Sequence, residues 1–349
     1  MDMNLLIFHG LVLVCISIAL QKSFVIGVGE LLDPSLIDHK GKRCHTTRES
    51  SLLAANCPEA NLEDVPQNLN SGIQILDLTR NRLSDIRNNS FSRYTSLQYL
   101  DLGDNFLQTI EEGAFDPLQQ LIALDLTKTR SHTLPRSLFS LPNLQRLFLE
   151  NNKLTDSVFK TKVTAPLTLL RAPKNMLTKI PQFGPFPSLA YMNLSENSIE
   201  KISIDDFAPF CNLLTLDLSK NPISFDSSNC DCQILKAWAK EHNMTVKPTF
   251  NCENSPYVNC FPVKFSNKTM TLFRDCEEML RIRIEIEKAR STWILVVSCL
   301  SVALVCLALV LYCFHRRNKM RNRKLKKAQQ LAASNANTEL LNGNVKEET

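Results

Sequence analysis

A single pattern, L-x-x-L-x-L-x-x-N-x-L, returns seven times between residues 73 and 223 and leaves the chain few ways to fold. It opens as Ile73-x-x-Leu76-x-Leu78-x-x-Asn81-x-Leu83. Leu97, Leu121, Leu144, Leu167, Leu189 and Leu213 start the others, at steps of 24, 24, 23, 23, 22 and 24 residues. Alternating Leu at the fourth and sixth places marks a short strand with one buried face, and successive strands stack into a parallel sheet. The Asn at the ninth place falls where the strand turns; its amide both donates and accepts, so it can bridge backbone groups of adjacent coils. Thr129 takes that place in the third repeat. Phe91, Phe115, Phe139 and Phe207 lie 18 places after their starts and can stack as an aromatic spine on the opposite side. Such units cannot bury their apolar faces alone, so the array needs stacking and capped ends.

Two apolar segments bound this array. Leu5 to Leu20 is interrupted only by His9, Gly10 and Ser17, which is the length of a signal-peptide core and short for a membrane span. Residues 1–29 are therefore read as a signal segment, with cleavage expected between Ser17/Ala19 and Gly27/Gly29; an uncleaved anchor is the alternative. Trp293 to Phe314 runs for 22 residues without a charge, enough at 1.5 Å per residue to cross a hydrocarbon core of about 30 Å. Eight cations follow between Arg316 and Lys327. Cations flank the cytoplasmic side of a span, so the expected topology is single-pass type I at the plasma membrane, N-terminus outside. The formal net charge of +5 divides accordingly: residues 315–349 carry +6 and residues 30–291 carry −1. The main domain thus has no bulk attraction for a polyanion, and nucleic acid is not expected as a partner.

That topology leaves eight cysteines outside: Cys44, Cys57, Cys211, Cys230, Cys232, Cys252, Cys260 and Cys276. Cys15 falls in the signal segment, and Cys299, Cys306 and Cys313 fall in the span. An even number in an oxidising compartment reads as disulfides, with zinc the alternative. Cys44 and Cys57 precede Leu62-x-x-Val65-Pro66, an N-terminal cap over residues 44–72. Cys230-Asp231-Cys232, then Ile234, Leu235 and Trp238 at helical spacing, then Cys252, Cys260 and Cys276 form a C-terminal cap over residues 224–276. Here residues 44–276 resemble the cysteine-flanked leucine-rich-repeat ectodomains of animal cell-surface proteins, Toll-like receptors among them. The resemblance implies an α/β leucine-rich-repeat solenoid, or horseshoe, with disulfide caps, to which one transmembrane helix is added. It also implies the pairs Cys230–Cys252 and Cys232–Cys276, which leaves Cys211–Cys260. Spacing alone does not fix the connectivity.

With the Leu positions inward, the third, fifth and seventh places of each repeat face out. Asp is the common filler at the fifth place. In the middle coils Arg146, Phe148, Leu169 and Arg171 replace polar filler on adjacent strands, and exposed aromatic and Arg residues together are what contact sites are made of; local drift is the bland alternative. Four N-x-[ST] sequons, at Asn88, Asn193, Asn243 and Asn267, are glycan candidates. A glycan on Asn193 is expected to project from the strand face and push partners toward Arg146 or the convex side.

Residues 277–292 mix both charge signs with Met279, Leu280, Ile282, Ile284 and Ile286; apolar residues at every second place fit a helical stripe poorly, so a solvated stalk is expected, with a pairing element as the alternative. Residues 315–349 read as a basic segment, suited to anionic inner-leaflet lipids, and then a disordered tail from Gln329. About 35 residues are too few for a kinase, a phosphatase or a Toll-like intracellular domain. Cys313 is either a palmitoylation candidate or span filler. Nine glycines supply no G-x-x-x-x-G-K-[ST] or G-x-G-x-x-G loop, and neither G-x-S-x-G nor H-E-x-x-H occurs. No catalytic residue, cofactor or metal is expected. The reading is a non-enzymatic recognition protein, adhesion molecule or co-receptor, which binds an extracellular or apposed cell-surface protein and signals through a partner. Its alternative is an auxiliary subunit acting on a channel or receptor through span and stalk.

Overall fold

The computed structural model describes residues 44–226, 230–252, 260 and 262–344. The signal segment and Cys15 lie outside the described residues. Two units are distinguished: the solenoid with its caps, inside Ser35–Arg283, and the long helix from residue 284 onward.

The solenoid carries a main sheet of ten short strands and a second of two. In chain order the strands are β1 (His45–Glu49), β2 (Leu52–Asn56), β3 (Ile75–Asp77), β4 (Asp85–Ile86), β5 (Tyr99–Asp101), β6 (Thr109–Ile110), β7 (Ala123–Asp125), β8 (Arg146–Phe148), β9 (Leu169–Arg171), β10 (Tyr191–Asn193), β11 (Thr215–Asp217) and β12 (Thr245–Lys247). Every repeat contributes a strand at its third to fifth places, and the main sheet runs β1-β2-β3-β5-β7-β8-β9-β10-β11-β12. β1 and β2 form an antiparallel hairpin; all later pairings are parallel. Equivalent residues align without slippage: Leu76, Leu100, Leu124, Leu147, Leu170, Met192 and Leu216 stand side by side, each at most 2% exposed. A slip of one residue would turn that whole row to solvent, which is why the register holds. β4 and β6 make a small second sheet.

The Asn column ties the coils together. Asn105 Nδ2 donates to Leu78 O of the preceding coil (3.0 Å) and to Leu102 O of its own (2.8 Å). Its Oδ1 accepts from Leu83 N at 3.1 Å. Asn81, Asn152, Asn175, Asn197 and Asn221 repeat the reach to the preceding coil at 2.7–2.9 Å. Thr129 is too short to span a coil; its hydroxyl stays near Leu126 O (3.1 Å), and Asn152 Oδ1 comes to meet it at 3.0 Å. On the far side Phe91 and Phe115 stack at 5.9 Å, whereas Phe139 meets Phe159 edge-on at 6.0 Å. The aromatic line then passes through Phe183 to Phe210, two rings that the 18-place rule does not select.

Both ends are sealed. Cys44–Cys57 closes the β1–β2 hairpin, and Cys57 N donates to Asp77 O at 2.9 Å, so the hairpin sits directly on the first coil. At the other end α1 (Asp231–Glu241) buries Cys232, Leu235 and Trp238. Trp238 meets Phe265 and Phe273 edge-on at 5.0 and 5.2 Å. His242 lies against Trp238 and Phe273, and the loss of water around it pushes its pKa down.

The C-terminal disulfides differ from those the resemblance implied. They are Cys211–Cys276, Cys230–Cys260 and Cys232–Cys252. The cause is where α2 (Asn267–Asn344) begins. Lys268 Nζ and Thr269 Oγ1 fasten its first turn to Asp205 at 2.8 and 2.6 Å. Two turns later that anchoring sets Cys276 against Cys211, with Cys211 N donating to its Sγ at 3.0 Å. Cys276 is thereby withdrawn from Cys232. α2 also runs uninterrupted through the residues read as a solvated stalk and through those read as disordered, as far as Asn344. A helix already nucleated by a long apolar run extends cheaply into Ala-, Leu-, Glu-, Gln- and Lys-rich sequence, so weak amphipathic periodicity does not stop it.

Candidate functional site

The open face of the sheet carries three columns of side chains, from the third, fifth and seventh places. At the fifth place the repeat builds a turn. Asp77 Oδ1 accepts from Thr79 N (2.8 Å), Asp101 Oδ1 from Gly103 N (2.8 Å), Asp125 Oδ1 from Thr127 N (2.7 Å), Asn193 Oδ1 from Ser195 N (2.9 Å) and Asp217 Oδ1 from Ser219 N (3.0 Å). Each side chain thus mimics one more backbone acceptor at the strand's end. Parallel register sets three carboxylates next to one another. Burial, reinforced by the charge of Asp125, lifts Asp101 to about 8; burial also raises Asp125.

Phe148 and Arg171 interrupt that column, paired in register between Asp125 and Asn193. Neither side chain can accept the turn hydrogen bond, so both are released to the surface. The Arg171 guanidinium lies 6.0 Å over the Phe148 ring and reaches Glu150 Oε1 with Nη2 at 2.5 Å. Its Nε is buried without a hydrogen-bond partner among the described residues. In the third-place column Ala123 is small and 6% exposed, and Arg146 reaches across it to lie 5.5 Å over Tyr99. Leu169 stands between Arg146 and Tyr191. The structure therefore brings Arg146, Phe148, Leu169 and Arg171 together on two adjacent strands and adds Tyr99, Tyr191 and Glu150. Those three stand in the same columns of the sequence. The signal that ties Tyr99 to the patch is the gap at Ala123, legible only once strands are placed edge to edge.

Of the sequons, Asn88, Asn243 and Asn267 are exposed. Asn193 does not project: it is 9% exposed, its Oδ1 drawn into the turn to Ser195. Among the described residues no His, Cys, Asp and Glu side chains group as a metal site. By length and composition α2 is the one described helix able to cross a bilayer, and its apolar window is unburied.

Comparison with known proteins agrees on the repeat. The leucine rich repeat family model matches residues 71–130. No curated protein matches the chain. Among solved structures, the crystal structure of the mouse RP105/MD-1 complex is similar at 25% identity, over 49% of this chain and 29% of that one, with a TM-score of 0.43. The chain spans less than a third of the protein it matches there, and the likeness adds nothing to the argument. Seven in-register coils, the buried Asn ladder, the capping disulfides and the long apolar helix make this chain a leucine-rich-repeat solenoid protein.

Proposed function

We propose that the chain is a non-enzymatic cell-surface recognition protein, its solenoid outside the plasma membrane, its span anchoring it as type I, and its open face binding an extracellular or apposed cell-surface protein. The observation that carries this reading is the break in the fifth-place column. Phe148 and Arg171 give up a turn hydrogen bond that five of the seven coils keep, and with Arg146, Leu169 and the two tyrosines they present aromatic, aliphatic and guanidinium surface together. Such groups dominate interface energetics when they lie near the centre of a contact. A seven-strand face at ~4.8 Å per strand is about 30 Å across, enough for a standard interface. Signalling then runs through a partner. Glycans on Asn88, Asn243 and Asn267 leave the face open.

Proximity labelling around the full-length chain displayed on cells tests this. Recovery of one extracellular protein, lost on combining Arg146→Ala with Phe148→Ala while surface expression is kept, supports it; capture indifferent to the pair removes the face from consideration. A second reading, an auxiliary subunit, draws on Met279, Ile282, Ile284 and Ile286 of α2, which are 45–59% exposed. Exchanging residues 277–314 for an unrelated stalk and span abolishes function under that reading and spares it under the first.

A further inference from the structure

The eighth and tenth places of each repeat flank the buried Asn and lie off the edge of the sheet. The eighth residue sits at positive φ in all seven coils (53–57°) without a glycine among them. Its N–H is thereby turned onto the next coil: Lys128 N donates to Glu150 O at 2.8 Å and Asn151 N to Pro173 O at 2.9 Å. Lys153 N donates back to Ser131 O at 3.1 Å. Coils three and four therefore hold their edge residues side by side, about 5 Å apart per coil.

Charge on this edge is lopsided. Of fourteen side chains in the two columns, seven are Lys or Arg and two are acidic, although residues 30–291 carry −1 in all. Three of the cations are matched, Arg80 by Glu59 (2.8 Å), Lys220 by Glu196 (3.3 Å) and Lys174 by Glu196 (4.0 Å), and Arg82 of the first coil stands exposed without an ion pair among the described residues. In the middle, Lys128, Arg130 and Lys153 are exposed and have no ion pair among the described residues. Arg130 is held in place, its guanidinium 4.7 Å over the ring of Phe106 one coil before. That stacking occupies one face of the Phe106 ring, whose side chain keeps 44% exposure. What remains is a short line of hydrated cations, one of them fixed in direction, set by the coil repeat. We infer that this edge, centred on Lys128, Arg130 and Lys153, binds a sulfated polysaccharide, whose linear charge gives up condensed counterions to such a row. The inference rests on the extracellular placement above for its biological setting only; the charge geometry stands without it.

The test uses the full-length chain in detergent, with every Lys and Arg between residues 316 and 327 changed to Gln so that the tail cannot bind. Affinity for immobilised heparin is measured against salt. The triple variant Lys128→Glu, Arg130→Glu, Lys153→Glu is expected to lose at least about tenfold at physiological salt, with the slope of log affinity on log salt reduced by about three. A control triple, Lys201→Glu, Lys236→Glu, Lys240→Glu, makes the same charge change elsewhere and should leave binding within about twofold. Equal losses from both triples, or no binding by the parent, overturn the inference; so does poly-glutamate competing as well as heparin, which would make the edge a site for an acidic protein. Labelled heparin on intact cells separates the two readings: binding in detergent but not on cells sinks the extracellular placement and leaves the edge standing.

Discussion

Two columns of the same solenoid treat departures from the repeat differently. The ninth place points inward. Six coils place an Asn there, and the one exception, Thr129, is still polar and satisfied inside, its hydroxyl within 3.1 Å of Leu126 O and 3.0 Å of Asn152 Oδ1. The fifth place points outward. Its exceptions, Phe148 and Arg171, are not repaired; they form a new set of contacts with Glu150 and with each other. A buried polar gap costs about 1–3 kcal/mol, whereas a turn at the surface can use water. An inward departure is therefore confined to a small polar residue that finds partners, and an outward one is free to acquire a role.

The sharpest attempt to break this contrast is to restore the outer column. Phe148→Asp with Arg171→Asn should cut partner capture by roughly 100-fold, as loss of a central aromatic–Arg pair does, while thermal unfolding stays near the parent; a large loss of stability would mean these residues serve the fold. The inner column should answer in the opposite way. Asn152→Ala removes one donor from each of the carbonyls of Leu126 and Leu149 and takes the acceptor from buried Ser131 N, and denaturant unfolding should show a loss of about 2–3 kcal/mol, with partner binding per folded molecule unchanged. A third measurement uses pH. Asp101 holds its proton up to about 8 in the folded chain against the ordinary 3.8 of a free carboxyl, so between those values the native state holds more protons than the unfolded one, and stability from this group falls as pH rises. Asp101→Asn keeps the acceptor for Gly103 N and removes the charge. Its gain in Tm over the parent should be larger at pH 8 than at pH 5 by about 3 °C or more. Smallest, Thr129→Asn should complete the ladder and add up to about 1 kcal/mol; a loss would show that Asn152 and Ser131 have closed the gap for good.

Much of this was legible before any coordinates. The period fixed where each strand starts, because a Leu at the fourth place and another at the sixth serve only one pleat. The patch residues were legible for the same reason: once the strand positions are known, facing directions follow by alternation. What could not be read depends on contacts between distant segments. Cys276 pairs with Cys211 because Lys268 and Thr269 find Asp205, a bond across 64 positions that no spacing rule contains. The Arg146–Tyr99 contact needs two strands and the small residue between them. The helical form of residues 277–292 was hard to read because Ile282, Ile284 and Ile286 recur at every second place, whereas α2 runs through them and leaves them exposed.

The seven left-handed residues beside the Asn ladder have a consequence for variation. A turn that demanded glycine would pin that rim to hydrogen atoms. In six of the seven the backbone bond to the neighbouring coil holds the conformation, and Arg, Asp, Lys, Asn and Glu all occupy it. This rim position can thus exchange one charge for another by a single codon, and the molecule can acquire or discard an electrostatic address along that rim while its interior goes untouched.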